Sequence, residues 1–187
     1  ELNKKTTQQL EKWIQESKYI CGHNIIAHDI PILEKKLGAA IFKNKIFIDT
    51  LLWSPILFTE RPYHKLVKGY KIVNEYASNN PLSDCKLTAQ LLHEELEKFH
   101  ALPDNFKSVL YLLLGKDARF SGLFKWIDYQ SDSFLEKDYR SLPTQEYCKT
   151  VDLTKYALSN PVELAFVLAL LRVSDKDAVC PAWVQHK

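Results

Sequence analysis

Four short segments hold residues whose types and spacing fit chemistry on a phosphate backbone. In the first, Gly22-His23-Asn24-Ile25-Ile26-Ala27-His28-Asp29-Ile30, an Asn and an Asp stand where a short apolar stretch gives way to a helical pattern. In open α/β sheets, functional groups collect at the carboxyl ends of strands. The second, Ile46-Phe47-Ile48-Asp49-Thr50-Leu51-Leu52, ends a strand pattern at an acid. The third, Asn79-Asn80-Pro81-Leu82-Ser83-Asp84-Cys85, puts Asp84 in the first turn of a long helix. The same positions suit capping: Asn24 and Asp49 as N-caps, Asp29 and Asp84 as first-turn acids facing the positive end of a helix dipole. The fourth, Arg61 to Lys71, interleaves Arg61, His64, Lys65, Lys68 and Lys71 with Tyr63 and Tyr70. Cations neutralise phosphates and aromatic rings stack bases. The stretch also reads as a solvated helix face with Leu66 and Val67 turned inward.

These residues need elements to position them. Thr6 to Lys18 predicts an amphipathic helix, with Leu10, Trp13 and Ile14 on one face. Tyr19 to Gly22 predicts a buried strand, and Asp29 to Leu37 a helix with Gly38 as its stop. Lys45 to Asp49 predicts a second strand, and the order helix–strand–helix–strand implies α/β architecture with parallel pairing. Asn80-Pro81 opens a helix to about Phe99, striped by Leu87, Leu91, Leu92, Leu96 and Phe99. Beyond about residue 102 the pattern turns helical throughout, at Phe106–Leu114 and Phe120–Ile127. Asn160-Pro161-Val162-Glu163 reads as a cap, a first-turn Pro and a capping-box Glu. The helix it opens, through Val173, is apolar almost all round and predicts burial.

The 187 residues are 46% hydrophobic and 12% aromatic, enough to bury a core as one domain or a domain with an extension. A net charge of +2 is too small to mark a nucleic-acid binder by itself, so a basic surface must be local. The four cysteines lie far apart and form no CxxC pair. That argues against zinc and disulfide frameworks and for a reducing cytoplasm. No apolar run is long enough for a bilayer and no signal peptide opens the chain, so no membrane partner is expected. The chain begins at Glu1 and contains no Met, as a piece of a longer protein would. No GxxxxGK[ST] is present, so ATP hydrolysis is not expected.

The three acidic segments together resemble the DEDD superfamily of 3′–5′ exonucleases, the RNase H-like fold of proofreading exonucleases and RNase T. GHNxxxxD is similar to that family's second motif, with Asp29 at its metal-binding acid. IDTL after a strand is a family feature, and Asp84 matches the last acid. More narrowly, YICGHNIIAHDIPIL, PYHKLVKGYK and NNPLSDC resemble the exonuclease domain fused ahead of bacterial RecQ-type DNA helicases. NPVELAFVLALL followed by CPAWV is similar to the segment leading to the helicase motor. The likeness is strong over residues 19 to 33 and 79 to 85 and weak from about 101 to 158.

The resemblance implies a partial RNase H-like exonuclease domain over residues 1–100 and an α-helical extension over 101–187 that leads toward a helicase in the same polypeptide. It implies a single-stranded DNA 3′ end as substrate and a role in DNA repair or recombination. Mg²⁺ or Mn²⁺ would be held by Asp29 and Asp84, because hard ions take carboxylate oxygens. Two such ions about 4 Å apart stabilise the attacking and leaving oxygens of phosphodiester hydrolysis. Asn24, Asp49, Asn79, His64, Lys65 and Lys68 would contact substrate. The chain departs from the pattern in two places. The family's opening Asp-x-Glu on a first strand is absent, and its strands with it. Asn79 and Asn80 stand where the general-base His or Tyr belongs, which leaves His28 as the substitute base. The chain alone is therefore expected to be inactive or nearly so, and a non-catalytic nucleic-acid-binding or docking module is the alternative.

Overall fold

The computed structural model describes residues 4–66, 81–130 and 154–174. Its elements are α1 (Lys4–Glu16), β1 (Tyr19–Gly22), α2 (Asp29–Leu37), a 3₁₀ turn (Ala39–Phe42), β2 (Ile46–Asp49), α3 (Thr50–Leu57), α4 (Pro81–His100), α5 (Asp104–Leu114), α6 (Ser121–Trp126), α7 (Thr154–Ser159) and α8 (Pro161–Ser174). The protein is mixed α/β and mostly helical, with one small sheet. β1 and β2 pair in parallel with Tyr19 opposite Ile46 and Gly22 opposite Asp49. Both strands therefore end at the same edge.

Side chains pack against both faces of the sheet, but β1, expected to be a buried strand, is only partly covered and leaves Cys21 exposed. Strand alternation turns Ile20 and Phe47 toward a small cluster of Ile14, Ile25, Ile30 and Phe42, supplied by α1, α2 and the turns around them. Tyr19 and Ile48 face the larger core. That core joins Trp53 of α3 and Phe99 of α4 to Phe106, Leu110, Phe120, Phe124 and Leu168. Trp53 sits edge-on to Phe99, Phe120 and Phe124, with ring centroids 5.2 to 6.2 Å apart, an arrangement that adds attraction beyond buried area. The helices after residue 101 thus share one core with the strands' own helices. α8 is buried at Leu164, Ala165, Leu168 and Ala169 but leaves Leu170 exposed, so the all-round burial expected of it holds on one side only.

Local chemistry explains the joints. Gly38 has φ 88° and stops α2, a conformation that costs a residue without Cβ little. Lys45 Nζ donates to the carbonyls of Gln15 and Ser17 at 2.9 and 2.7 Å, a cation at the negative end of α1. The hydroxyl of Tyr19 donates to the Lys125 carbonyl at 2.9 Å, and its ring meets Trp126 edge-on at 5.0 Å. Gly122 of α6 lies so close to the Phe47 carbonyl oxygen that a Cβ would overlap it. A glycine is needed there to let α6 seat on β2. No helix among the described residues is long and apolar enough to cross a membrane.

Candidate functional site

Asp49 organises the carboxyl edge of the sheet. It ends β2, is 1% exposed and serves as N-cap of α3, accepting from the Leu51 amide at 3.1 Å. It also accepts from the Asn24 amide at 2.8 Å and the Ile26 amide at 3.1 Å. One buried carboxylate thus ties the loop after β1 to the end of β2. The capping reading of Asp49 holds. The Asp49 oxygens face backbone amides rather than solvent. Asn24 caps no helix: it takes φ 63°, a left-handed conformation that Asn tolerates better than most residues. Residues 22–28 are thereby folded into a tight connection ahead of α2.

His23, next to Asn24, extends the arrangement. Its Nδ1 pairs with Thr50 Oγ1, in the first turn of α3, at 2.9 Å. Burial pushes its pKa below the ordinary histidine value, opposed by the Asp49 carboxylate and the His64 backbone. His64 Nδ1 in turn pairs with Ser54 Oγ at 3.0 Å. Burial and the nearby Arg61 charge hold its pKa down as well, against the opposing pull of Glu60. Sequence reasoning passed over His23, although its place immediately after a strand's last residue was a signal.

These contacts lead from the sheet edge along α3 into a cleft of about 310 Å³ between the loop after α3 and the middle of α4. Arg61, Tyr63, His64 and Lys65 line one side, Gln90 and Glu94 the other. Tyr63 is 75% exposed. Arg61 lies over the Phe58 ring at 3.6 Å and donates to Glu94 at 3.2 Å. The segment from Arg61 to Leu66 is not helical, so the solvated-helix reading fails over these residues. Pro62 disfavours the helical region for Arg61, the residue before it.

The other predicted residues lie apart from this cleft or beyond the described residues. Asp29 opens α2 as a first-turn acid, with its side chain 53% exposed and 3.6 Å from His28 Nδ1. Asp84 lies half-buried in the first turn of α4. Asn79 and Lys68 fall outside the described residues. Among the described residues no three His, Cys, Asp or Glu side chains gather to hold a metal ion. The donor set on view is therefore two carboxylates on separate helices, which falls short of the four acids usual for a two-ion cage.

A second buried acid was missed. Glu95 of α4 is 0% exposed, and neither of its carboxylate oxygens has a hydrogen-bond partner among the described residues. Burial first, and the Asp49 carboxylate second, push its pKa up to about 9. The signal was present in the sequence: Leu91, Leu92 and Phe99, at i−4, i−3 and i+4, put Glu95 on the apolar stripe of the helix.

No protein-family model, curated protein or solved structure matches the chain.

Proposed function

We propose that this chain holds a single-stranded DNA 3′ end, as a nucleic-acid-binding module built on part of a DEDD-type, RNase H-like exonuclease domain and working beside a RecQ-type helicase motor in DNA repair or recombination. The supporting observation is the continuity from sheet edge to cleft. The loop locked by Asp49 is tied through His23 to Thr50 of α3, and Ser54, one turn further along α3, pairs with His64 in a cleft lined by Arg61, Tyr63 and Lys65. With both histidines biased toward the neutral form, Arg61 and Lys65 supply the fixed cationic charge, and exposed Tyr63 offers a stacking face. Asn24, on the locked loop, lies on the same route. A reducing cytoplasm is the compartment this reading assumes.

Hydrolysis is the further reach of the same proposal. Mg²⁺ or Mn²⁺ would be held by Asp29 and Asp84, and the ion would supply charge stabilisation at the scissile phosphate. His28, beside Asp29, could then accept the water's proton. Asn79 and Asn80, standing where the resemblance places the general base, favour the binding reading for this chain.

The test is a salt titration of DNA affinity. Replacing Arg61 by Gln together with Lys65 by Glu should weaken binding of a short oligothymidylate by about tenfold or more at low salt. It should also reduce the slope of log affinity on log salt by about 1.4, about 0.7 for each single-strand phosphate no longer neutralised. The melting temperature should hardly change, since both side chains are exposed. Unchanged affinity and slope would refute the assignment of the cleft.

A further inference from the structure

We propose that Glu94 is a specificity-determining residue of the cleft, holding Arg61 in the free protein and releasing it only to a strand that meets Lys65 and Tyr63 at the same time. This rests on the nucleic-acid reading above.

Glu94 Oε2 accepts from Arg61 Nη2 at 3.2 Å, and its Oε1 accepts from Gln90 Nε2 at 3.1 Å one turn earlier on α4. The carboxylate thus presents oxygen to the same guanidinium fork that a phosphate would use. Arg61 stays within reach of an incoming anion, because its guanidinium lies over buried Phe58. Both side chains of the pair are more than a third exposed, at 41% and 37%, so the contact is weak enough for a ligand to displace.

A lone phosphate gains little by that exchange. It replaces one anion with another, and the released carboxylate repels it from the opposite wall. A strand brings further phosphates to Lys65 and a base to Tyr63, and each later contact forms at high effective concentration. Nearby charges do not compete for Arg61 in this way. Lys98 lies 3.7 Å from Glu60, and burial biases His64 toward its neutral form. Among the described residues that line the cleft, Glu94 is the one carboxylate.

Binding of an oligothymidylate of about 16 nucleotides to the wild-type chain, Glu94→Gln, Arg61→Gln and the double variant tests this. Glu94→Gln retains an amide for Gln90 and should bind about fivefold more tightly at low salt, with the gain shrinking as salt rises. In the Arg61→Gln background the gain should vanish. Inorganic phosphate, as a second probe, should bind Glu94→Gln measurably better than wild type. A Glu94→Gln variant that binds no better than wild type, or whose gain survives without Arg61, overturns the proposal while the nucleic-acid reading stands. If wild type binds no better than Arg61→Gln, or binds nothing, both fall together.

Discussion

Replacing Asp49 by Ala is expected to destabilise the chain by about 3–5 kcal/mol, because a buried acceptor of charge-assisted bonds is removed and the groups it served are left without a partner. Three amides depend on it, those of Asn24, Ile26 and Leu51. The first two belong to the loop after β1 and the third to the first turn of α3, so the substitution loosens two elements at once. For a chain of this length the loss corresponds to a fall in melting temperature of about 10 °C. Asp49→Asn should cost less. Its one carbonyl oxygen can keep the Asn24 and Leu51 amides, which both bond to Oδ1, and gives up the Ile26 amide on Oδ2. Thermal or urea unfolding of the three proteins checks the order wild type, Asn, Ala. An Ala variant within about 1 kcal/mol of wild type would mean that the loop is held by something other than this carboxylate.

The second large effect is a pH dependence centred on Glu95. Its folded pKa is raised to about 9 by burial and by the Asp49 carboxylate, whereas the unfolded chain ionises it at the ordinary carboxylate value. Between those limits the folded state holds a proton that the unfolded state has released, so raising the pH favours unfolding. The contribution is fully present below the unfolded pKa and is lost as the pH rises through the folded one. Stability should therefore fall from about pH 5 to about pH 8 by at most about 4 kcal/mol through this group. Glu95→Gln removes the titration. Its unfolding free energy should match wild type near the lower end of that window and exceed it at the upper end. Denaturant melts of both proteins across the window measure the difference directly, and parallel curves would show that Glu95 does not carry a proton into the fold.

The sequence was most legible where one physical rule acts alone. β1 and α2 begin and end where periodicity and Gly38 place them, and β2 and α4 depart from expectation by a single residue at an end. The apolar strands, the stop glycine and the first-turn proline at Pro81 face no competing rule. Legibility failed where tertiary contacts decide. Asp49 and Asn24 both read as caps; Asp49 does cap α3 but also anchors the loop after β1, and Asn24 caps nothing and is that loop's left-handed hinge, because the parallel register brings Gly22 beside Asp49. Of the basic stretch, Arg61, His64 and Lys65 line a cleft, and the alternative reading of a solvated helix face fails over residues 61–66. Glu95 reads as one acid among several on a charged helix, and its burial follows only from the apolar residues one turn away on either side. The cleft itself, formed between the loop after α3 and α4, leaves no local pattern in the sequence.

The central claim is that a single strand of DNA follows the sheet edge into the cleft. Backbone amide shifts of isotope-labelled protein, titrated with oligothymidylate, test it most directly. The perturbed amides should cluster in residues 22–28 and 61–66 and in the α4 turns that carry Gln90 and Glu94. Perturbations confined to α5, α6 and α8, with the 22–28 loop and the cleft unmoved, would contradict it.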